Sequence, residues 1–249
     1  MLLEVKNIKK TYTTRFSKQS TEALKDVSFT AEEGEFIAIM GESGSGKTTL
    51  LNLLALLDRP TGGSIRLRER DLSEIPEEAM AKFRRDHLGF VFQDFHLLDS
   101  FTLRENIALP LVLQEEGAEA IDRRVGDVAK SLKIGELLDK YPYEVSGGQK
   151  QRAAIARAMV TNPDILFADE PTGALDSNAS RDLMNAFKEL NEKGQSILMV
   201  THSPRAAAKA RRILFIRDGK IFHQLYRTDD DERKTAEKIA LTVQMLGRA

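Results

Sequence analysis

The feature that most constrains this chain is the junction where Phe36-Ile-Ala-Ile-Met40 runs directly into Gly41-Glu-Ser-Gly-Ser-Gly-Lys47-Thr48. Five apolar residues ending in glycine read as a short strand buried on both faces. Residues 41–48 fit G-x-x-x-x-G-K-[ST], and helical patterning continues from about residue 46 to 57, the strand, loop and helix context that this motif requires. Gly41, Gly44 and Gly46, with Ser43 and Ser45 between them, let backbone N–H groups wrap an anion, and the helix N-terminus adds its partial positive charge. Lys47 reaches the outer phosphates of a nucleoside triphosphate, Thr48 offers a hydroxyl to Mg²⁺, and Thr49 is counted with them as a nucleotide-binding residue.

Such a strand needs a parallel sheet around it, and the rest of the chain supplies one. Strands are expected at 2–8, 24–31, 65–68, 164–168, 196–200 and 213–216, with helices after Pro76, from about 180 to 191 and after Pro204. Between 102 and 160 the periodicity is mostly helical, so an α/β core is interrupted by a helical lobe. The 249 residues, 41% hydrophobic and 30% charged, describe an ordinary soluble globular chain. No apolar run approaches the roughly 20 residues of a membrane span. No fixed repeat and no long Gly/Ser/Pro tether divides it. The start lacks the order of a signal peptide and there is no cysteine, which points to the cytoplasm. A net charge of -1 gives no electrostatic reason to bind nucleic acid, and none is expected as a partner.

Two further stretches carry chemistry. Ile165-Leu-Phe-Ala-Asp169-Glu170 is an apolar run emptying into two carboxylates, as a buried strand does at the rim of a parallel sheet. Neighbouring strand residues point opposite ways, so Asp169 is assigned to the Mg²⁺ shell and Glu170 to orienting and deprotonating an attacking water. Taken alone, such a pair also suits a solvated loop start; the phosphate loop upstream favours the catalytic reading. Val145-Ser146-Gly147-Gly148-Gln149 opens a basic, alanine-rich helix and presents a hydroxyl, bare amides and a helix dipole to an anion. A plain helix start with a serine cap is the alternative. One γ-phosphate is not easily held by two cradles in separate lobes of one chain, so a second copy, paired head to tail, resolves the redundancy. Asp176 either caps the following helix or belongs to the nucleotide-binding residues.

The full series resembles the nucleotide-binding subunit of ABC transporters across essentially residues 1–225. The resembling motifs are the Walker A loop at 41–48, a Q-loop glutamine at Gln93, the signature at 145–149, Walker B at 165–169 with Glu170 beside it, the D-loop at 174–176 and the switch histidine at His202. The resemblance implies a P-loop NTPase of the ABC ATPase type, an α/β core with an antiparallel β subdomain and a helical subdomain inserted at about 94–161. A C-terminal helical extension is expected at 226–249. It further implies ATP and Mg²⁺, with Gln93 joining Thr48 and Asp169 at the metal, Tyr12 stacking on adenine, His202 sensing the γ-phosphate, and a homodimer sharing two ATP sites. Val145 replaces the usual leucine of the signature, and Ser203 stands where aspartate is frequent; neither touches a phosphate contact.

Within the family, Gln93-Asp-Phe-His-Leu-Leu98 and the stretch after Phe167 are similar to the branch containing MacB- and LolD-like ATPases, and residues 140–152 look closest to BceA-type ATPases of antimicrobial-peptide resistance. That likeness implies attachment to the cytoplasmic face of the membrane through an integral permease, with a sensor kinase indirectly associated; lipoprotein release or macrolide export is the alternative. The apolar residues from Phe95 to Phe101 either fill the helical lobe or form a notch for a permease helix. Asp229-Asp-Asp-Glu-Arg-Lys ahead of Ile239, Leu241, Val243, Met245 and Leu246 reads as an acid-capped helix with an apolar stripe, to dock on the body, the second copy or the permease.

Overall fold

The computed structural model describes residues 1–13, 20–228 and 231–246. In chain order these form β1 (Leu3–Thr13), β2 (Ser20–Ala31), β3 (Phe36–Met40), α1 (Lys47–Leu54), β4 (Gly62–Leu67), β5 (Arg70–Asp71), α2 (Glu77–His87) and β6 (Leu88–Val91). Next come α3 (Leu103–Leu113), α4 (Ala118–Ser131), α5 (Gly147–Met159), β7 (Ile165–Asp169), α6 (Ser177–Glu192), β8 (Ile197–Val200), α7 (Pro204–Ala207), β9 (Arg212–Arg217), β10 (Lys220–Tyr226) and α8 (Glu232–Leu246). Asp229 and Asp230 of the expected acidic cap lie outside the described residues. The chain divides into two compact units, one of residues 1–81 with 191–249, the other of residues 82–190.

In the first unit the strands lie in the order β5, β4, β1, β2, β10, β9, β3, β8. The β1 strand pairs antiparallel with β2 and β4, while β3 runs parallel to both β8 and β9. Every residue of β3 and of β8 is buried, which is why both read as unbroken apolar runs with no polar alternation. Leu50, Leu51, Leu53 and Leu54 of α1 are buried as well. The helix stops at Leu54, short of the expected end at Leu57, because Leu56 turns into the left-handed region at φ 55°.

The expected strand at 213–216 is one arm of a hairpin. Asp218 and Gly219 turn at φ 49° and 74°, and β10 returns antiparallel to β9, with Lys220 opposite Arg217 and Tyr226 opposite Arg212. An Asp-Gly pair at positive φ is the favoured two-residue hairpin turn, so the signal was present at 218–219. The β10 strand is mostly exposed and lacks the apolar run that marks its buried neighbours.

The second unit pairs β6 with β7 in parallel, Val91 opposite Ala168, and packs α3, α4 and α5 together. The expected helical insertion lies within it. The β6 strand has no counterpart among the expected strands. Gly89 in its middle sits where a Cβ would stand 2.7 Å from the Ala158 carbonyl and 2.8 Å from a Leu166 methyl, so only glycine lets the strand approach α5 and β7. Thr102 caps α3 in a reciprocal box with Glu105, and the wholly buried Asn106 ties the preceding loop down through bonds to Leu98 and Phe101.

Candidate functional site

The first unit carries the phosphate loop. Gly46 caps α1 at φ 102°, a conformation that L side chains avoid, and a Cβ there would stand 2.7 Å from the Ala23 carbonyl. The loop begins tight against β9, since a Cβ on Gly41 would meet the Ile216 carbonyl at 2.2 Å. Gly44 has nothing within 4 Å of its missing side chain and sits with Ser43 and Thr48 on the exposed rim, while Ser45 is buried. The Lys47 ammonium donates to the carbonyls of Gly41 and Glu42 at 2.9 Å each, which holds the cation across the loop's mouth. Thr49 is half-buried in the first turn of α1.

Register sets what shares this edge. Ile39 of β3 pairs with Val200 of β8, and Thr201 N–H continues the ladder to the Ile39 carbonyl at 3.1 Å. His202 therefore emerges at the same carboxyl end as the phosphate loop, the usual location of ligands in parallel α/β sheets. It is exposed there, and the next residue, Ser203, caps α7. Tyr12 stands near the end of β1 and is 44% exposed. Its hydroxyl donates to Asp58 at 2.9 Å, and the Lys10 ammonium lies 4.9 Å from the ring centroid and 2.6 Å from the same carboxylate. Burial of Asp58 works against its charge, but hydrogen bonds from Lys10, the Arg59 amide and Tyr12 outweigh it and hold the carboxyl below its usual range. Burial, then the bond to Asp58, pushes the Tyr12 phenol up, so it stays a neutral donor.

The second unit carries the carboxylates and the glycine-rich turn. The parallel pairing of β6 and β7 delivers Gln93 and the Asp169-Glu170 pair to one carboxyl edge. Glu170 takes φ 45°, a strained conformation for a residue with a side chain, and its carbonyl accepts from Gly173 at 2.9 Å. The Gln93 side chain lies over Gly173, where a Cβ would approach its amide carbon to 3.0 Å. Gln151, which in the sequence is only one more polar residue of the basic helix, is fully buried, and its amide donates to the Phe92 carbonyl at 3.1 Å and the Pro171 carbonyl at 2.9 Å. It thus pins the residue before Gln93 and the residue after Glu170 to one helix. The signal for it is the spacing that puts Gln151 on the alanine-rich, inward face of α5.

Ser146 caps α5: its hydroxyl accepts from the Gln149 N–H at 3.4 Å, and the Gln149 side chain accepts from the Ser146 N–H at 2.8 Å. Gly147 and Gly148 admit close neighbours, since added Cβ atoms would meet Leu175 at 3.3 Å and Ala179 at 3.2 Å. Asp176 caps α6 by accepting from Asn178 and Ala179 at 2.8 and 2.9 Å. The notch expected at 95–101 is divided. The Phe95 ring turns inward, 3.8 Å from where a Gly147 side chain would begin, and Leu98 and Phe101 are the exposed apolar residues, at 44% and 37%.

Thr48 in the first unit offers a hydroxyl, and Asp169 and Gln93 in the second offer a carboxylate and a carboxamide, all hard oxygens of the kind that Mg²⁺ takes. Among the described residues no cluster of three His, Cys, Asp or Glu could hold a metal by itself. No helix among them is long and apolar enough to cross a membrane.

The phosphate loop of the first unit and the carboxylate edge and glycine-rich turn of the second are the parts of an ATP-binding cassette. The ABC transporter family profile matches residues 24–173, and the chain belongs to that family. It is an ATP-binding, ATP-hydrolysing transporter subunit. It is 47% identical to the bacitracin export ATP-binding protein BceA of Halalkalibacterium halodurans, over 99% of this chain and 97% of that one. To the ABC transporter ATP-binding protein YxdL of Bacillus subtilis it is 48% identical over 99% of this chain and 95% of that one. Among solved structures it is similar to the dimeric, post-hydrolysis ATP-binding cassette MJ0796 bound to ADP and Pi, with a TM-score of 0.82 and 38% identity over 90% of this chain and 98% of that one.

Proposed function

We propose that two copies of this chain clamp two ATP molecules and drive an integral membrane permease that protects a bacterium against bacitracin-like peptide antibiotics. The observation that carries this reading is the match to BceA along nearly the whole of both chains, at 47% identity. The dimeric state of the MJ0796 cassette supports the pairing. On this reading the chain sits at the cytoplasmic face of the membrane, held there by the permease, with Leu98 and Phe101 as its apolar contact.

In each site the amides of residues 41–46 and the Lys47 ammonium hold the phosphates, and Tyr12 stacks on the adenine with its hydroxyl anchored on Asp58. Thr48, Asp169 and Gln93 would hold Mg²⁺, which supplies charge neutralisation across the β- and γ-phosphates. Glu170 accepts the proton of the attacking water as its oxygen bonds to the γ-phosphorus. The bond from that phosphorus to the β,γ-bridging oxygen breaks, giving ADP and phosphate. His202 donates to the γ-phosphate and registers its departure. Ser146, Gly147, Gly148 and Gln149 of the second copy cap the same phosphate, and Asp176 lies along the pairing surface, so hydrolysis dissolves the contact that ATP created.

The test is complementation. Chains carrying Lys47→Ala and chains carrying Ser146→Phe are each inactive, and a mixture regains activity because one pocket per mixed pair combines an intact loop with an intact turn. A mixture that stays silent despite demonstrated pairing overturns the shared site.

A further inference from the structure

The C-terminal helix α8 has no part in the chemistry of ATP, yet it packs on α7 and lines one hollow with the phosphate loop in its own unit. It packs on α7, with Thr235 and Ile239 buried. At its start, Glu232 pairs with Lys209, just past α7, at 2.5 Å. The α7 helix begins two residues after His202, through the cap that Ser203 gives to Ala206.

One turn beyond Ile239, Val243 lines a hollow of about 110 Å³ whose other walls are residues 41–45 of the phosphate loop and residues 215–218. Thr235, Ile239 and Val243 recur every four residues and so share a face, and eight residues of helix span about 12 Å. On this side the loop meets the turn between β9 and β10. Gly41 rests on the Ile216 carbonyl, Gly219 N–H bonds the Ser45 carbonyl at 3.3 Å, and the buried Ser45 hydroxyl has no hydrogen-bond partner among the described residues. Val243 thus faces, across this hollow, the same stretch of loop that rests on the β9–β10 hairpin.

We propose that α8 is a positioning element for the nucleotide site, with Val243 seating the phosphate loop from behind and Ile239 fixing α7 and through it the bearing of His202. The proposal rests on the reading that this loop and His202 act on ATP. Helix α8 then offers a handle, away from the phosphates themselves, through which contacts at the C-terminal end reach catalysis.

The test uses full-length chains and two measurements: steady-state ATPase kinetics, and hydrogen–deuterium exchange of peptides covering 41–48 and 201–208. Val243→Ala is expected to raise KM for ATP about 3-fold with kcat unchanged, and Val243→Ile to restore it. Ile239→Ala is expected to raise KM and lower kcat, each by about 3- to 10-fold, with faster exchange in both peptides. Leu241→Ala, on the exposed side, leaves all of these unchanged. The proposal is overturned if Val243→Ala and Ile239→Ala leave KM and exchange at wild-type values, and equally if Ile239→Ala lowers only the melting temperature while Val243→Ala has no effect. Lys47→Ala separates the two readings: if it still binds ATP normally the site assignment fails, and if it abolishes binding while the α8 variants match wild type, only the role of α8 fails.

Discussion

The Arg157 guanidinium on α5 donates to the Phe95 carbonyl at 3.0 Å, and its other terminal nitrogen reaches the His96 carbonyl at 2.5 Å. Phe95 and His96 both take positive φ, 59° and 48°, so this arginine braces a strained turn two residues after Gln93. Burial pushes the guanidinium below its usual range, though it remains a cation. Replacing it by methionine keeps the stem and removes both donors. Arg157→Met is expected to destabilise the chain by about 2 kcal/mol in urea unfolding and to open the 94–101 segment to proteolysis.

Gln151 holds the loops that come after β6 and β7. Gln151→Leu fills the same space without the amide, leaving the Phe92 and Pro171 carbonyls to find water. Turnover is expected to fall about tenfold with KM for ATP little changed, because the loops of Gln93 and Glu170 lose their common anchor. A raised KM with normal kcat would assign Gln151 a different role.

Gly89→Ala puts a methyl within 2.7 Å of the Ala158 carbonyl, a backbone atom that cannot step aside cheaply. The cost is expected at about 1–3 kcal/mol, read as a lowered urea midpoint. An unchanged midpoint would show that β6 slides freely against α5.

Glu170→Gln retains shape and removes the carboxylate proposed to accept the water's proton. With ATP the variant is expected to elute from a sizing column as a stable dimer, whereas wild type returns to its nucleotide-free elution position as ATP is consumed. A variant that stays monomeric with ATP, beside a wild type that hydrolyses normally, contradicts the shared site.

The Asp58 carboxyl sits below the ordinary aspartate value of 3.8, so the folded state prefers its charged form. The stability it contributes through Lys10 and Tyr12 is complete above that value and is lost as pH falls through the depressed one. Melting temperature followed from pH 6 down to pH 3 is expected to fall more steeply for wild type than for Asp58→Asn. Parallel curves would detach the carboxylate from Tyr12.

Much of the candidate site was legible because its elements are local. The loop at 41–48 is one strand end, one run of glycines and one helix start, and each of those is specified by residues within a few positions of one another. The carboxylates after β7 and the serine turn before α5 are equally local. The β6 strand escaped because Gly89 interrupts its pattern, and β10 because an exposed strand has no apolar run to betray it.

What the residues alone determined, then, were the contiguous parts: which strands are buried on both sides, and where a glycine-rich loop or a serine turn enters its helix. Only the tertiary structure decided which distant residues hold those parts in place, such as Gln151 beneath two loops, Arg157 behind Phe95, Asp58 under Tyr12 and Val243 behind the phosphate loop. The reason is physical. Strand and turn preferences act over a few neighbouring bonds, whereas a hydrogen bond between residues about sixty positions apart exists only after strand register and helix packing have brought its partners together.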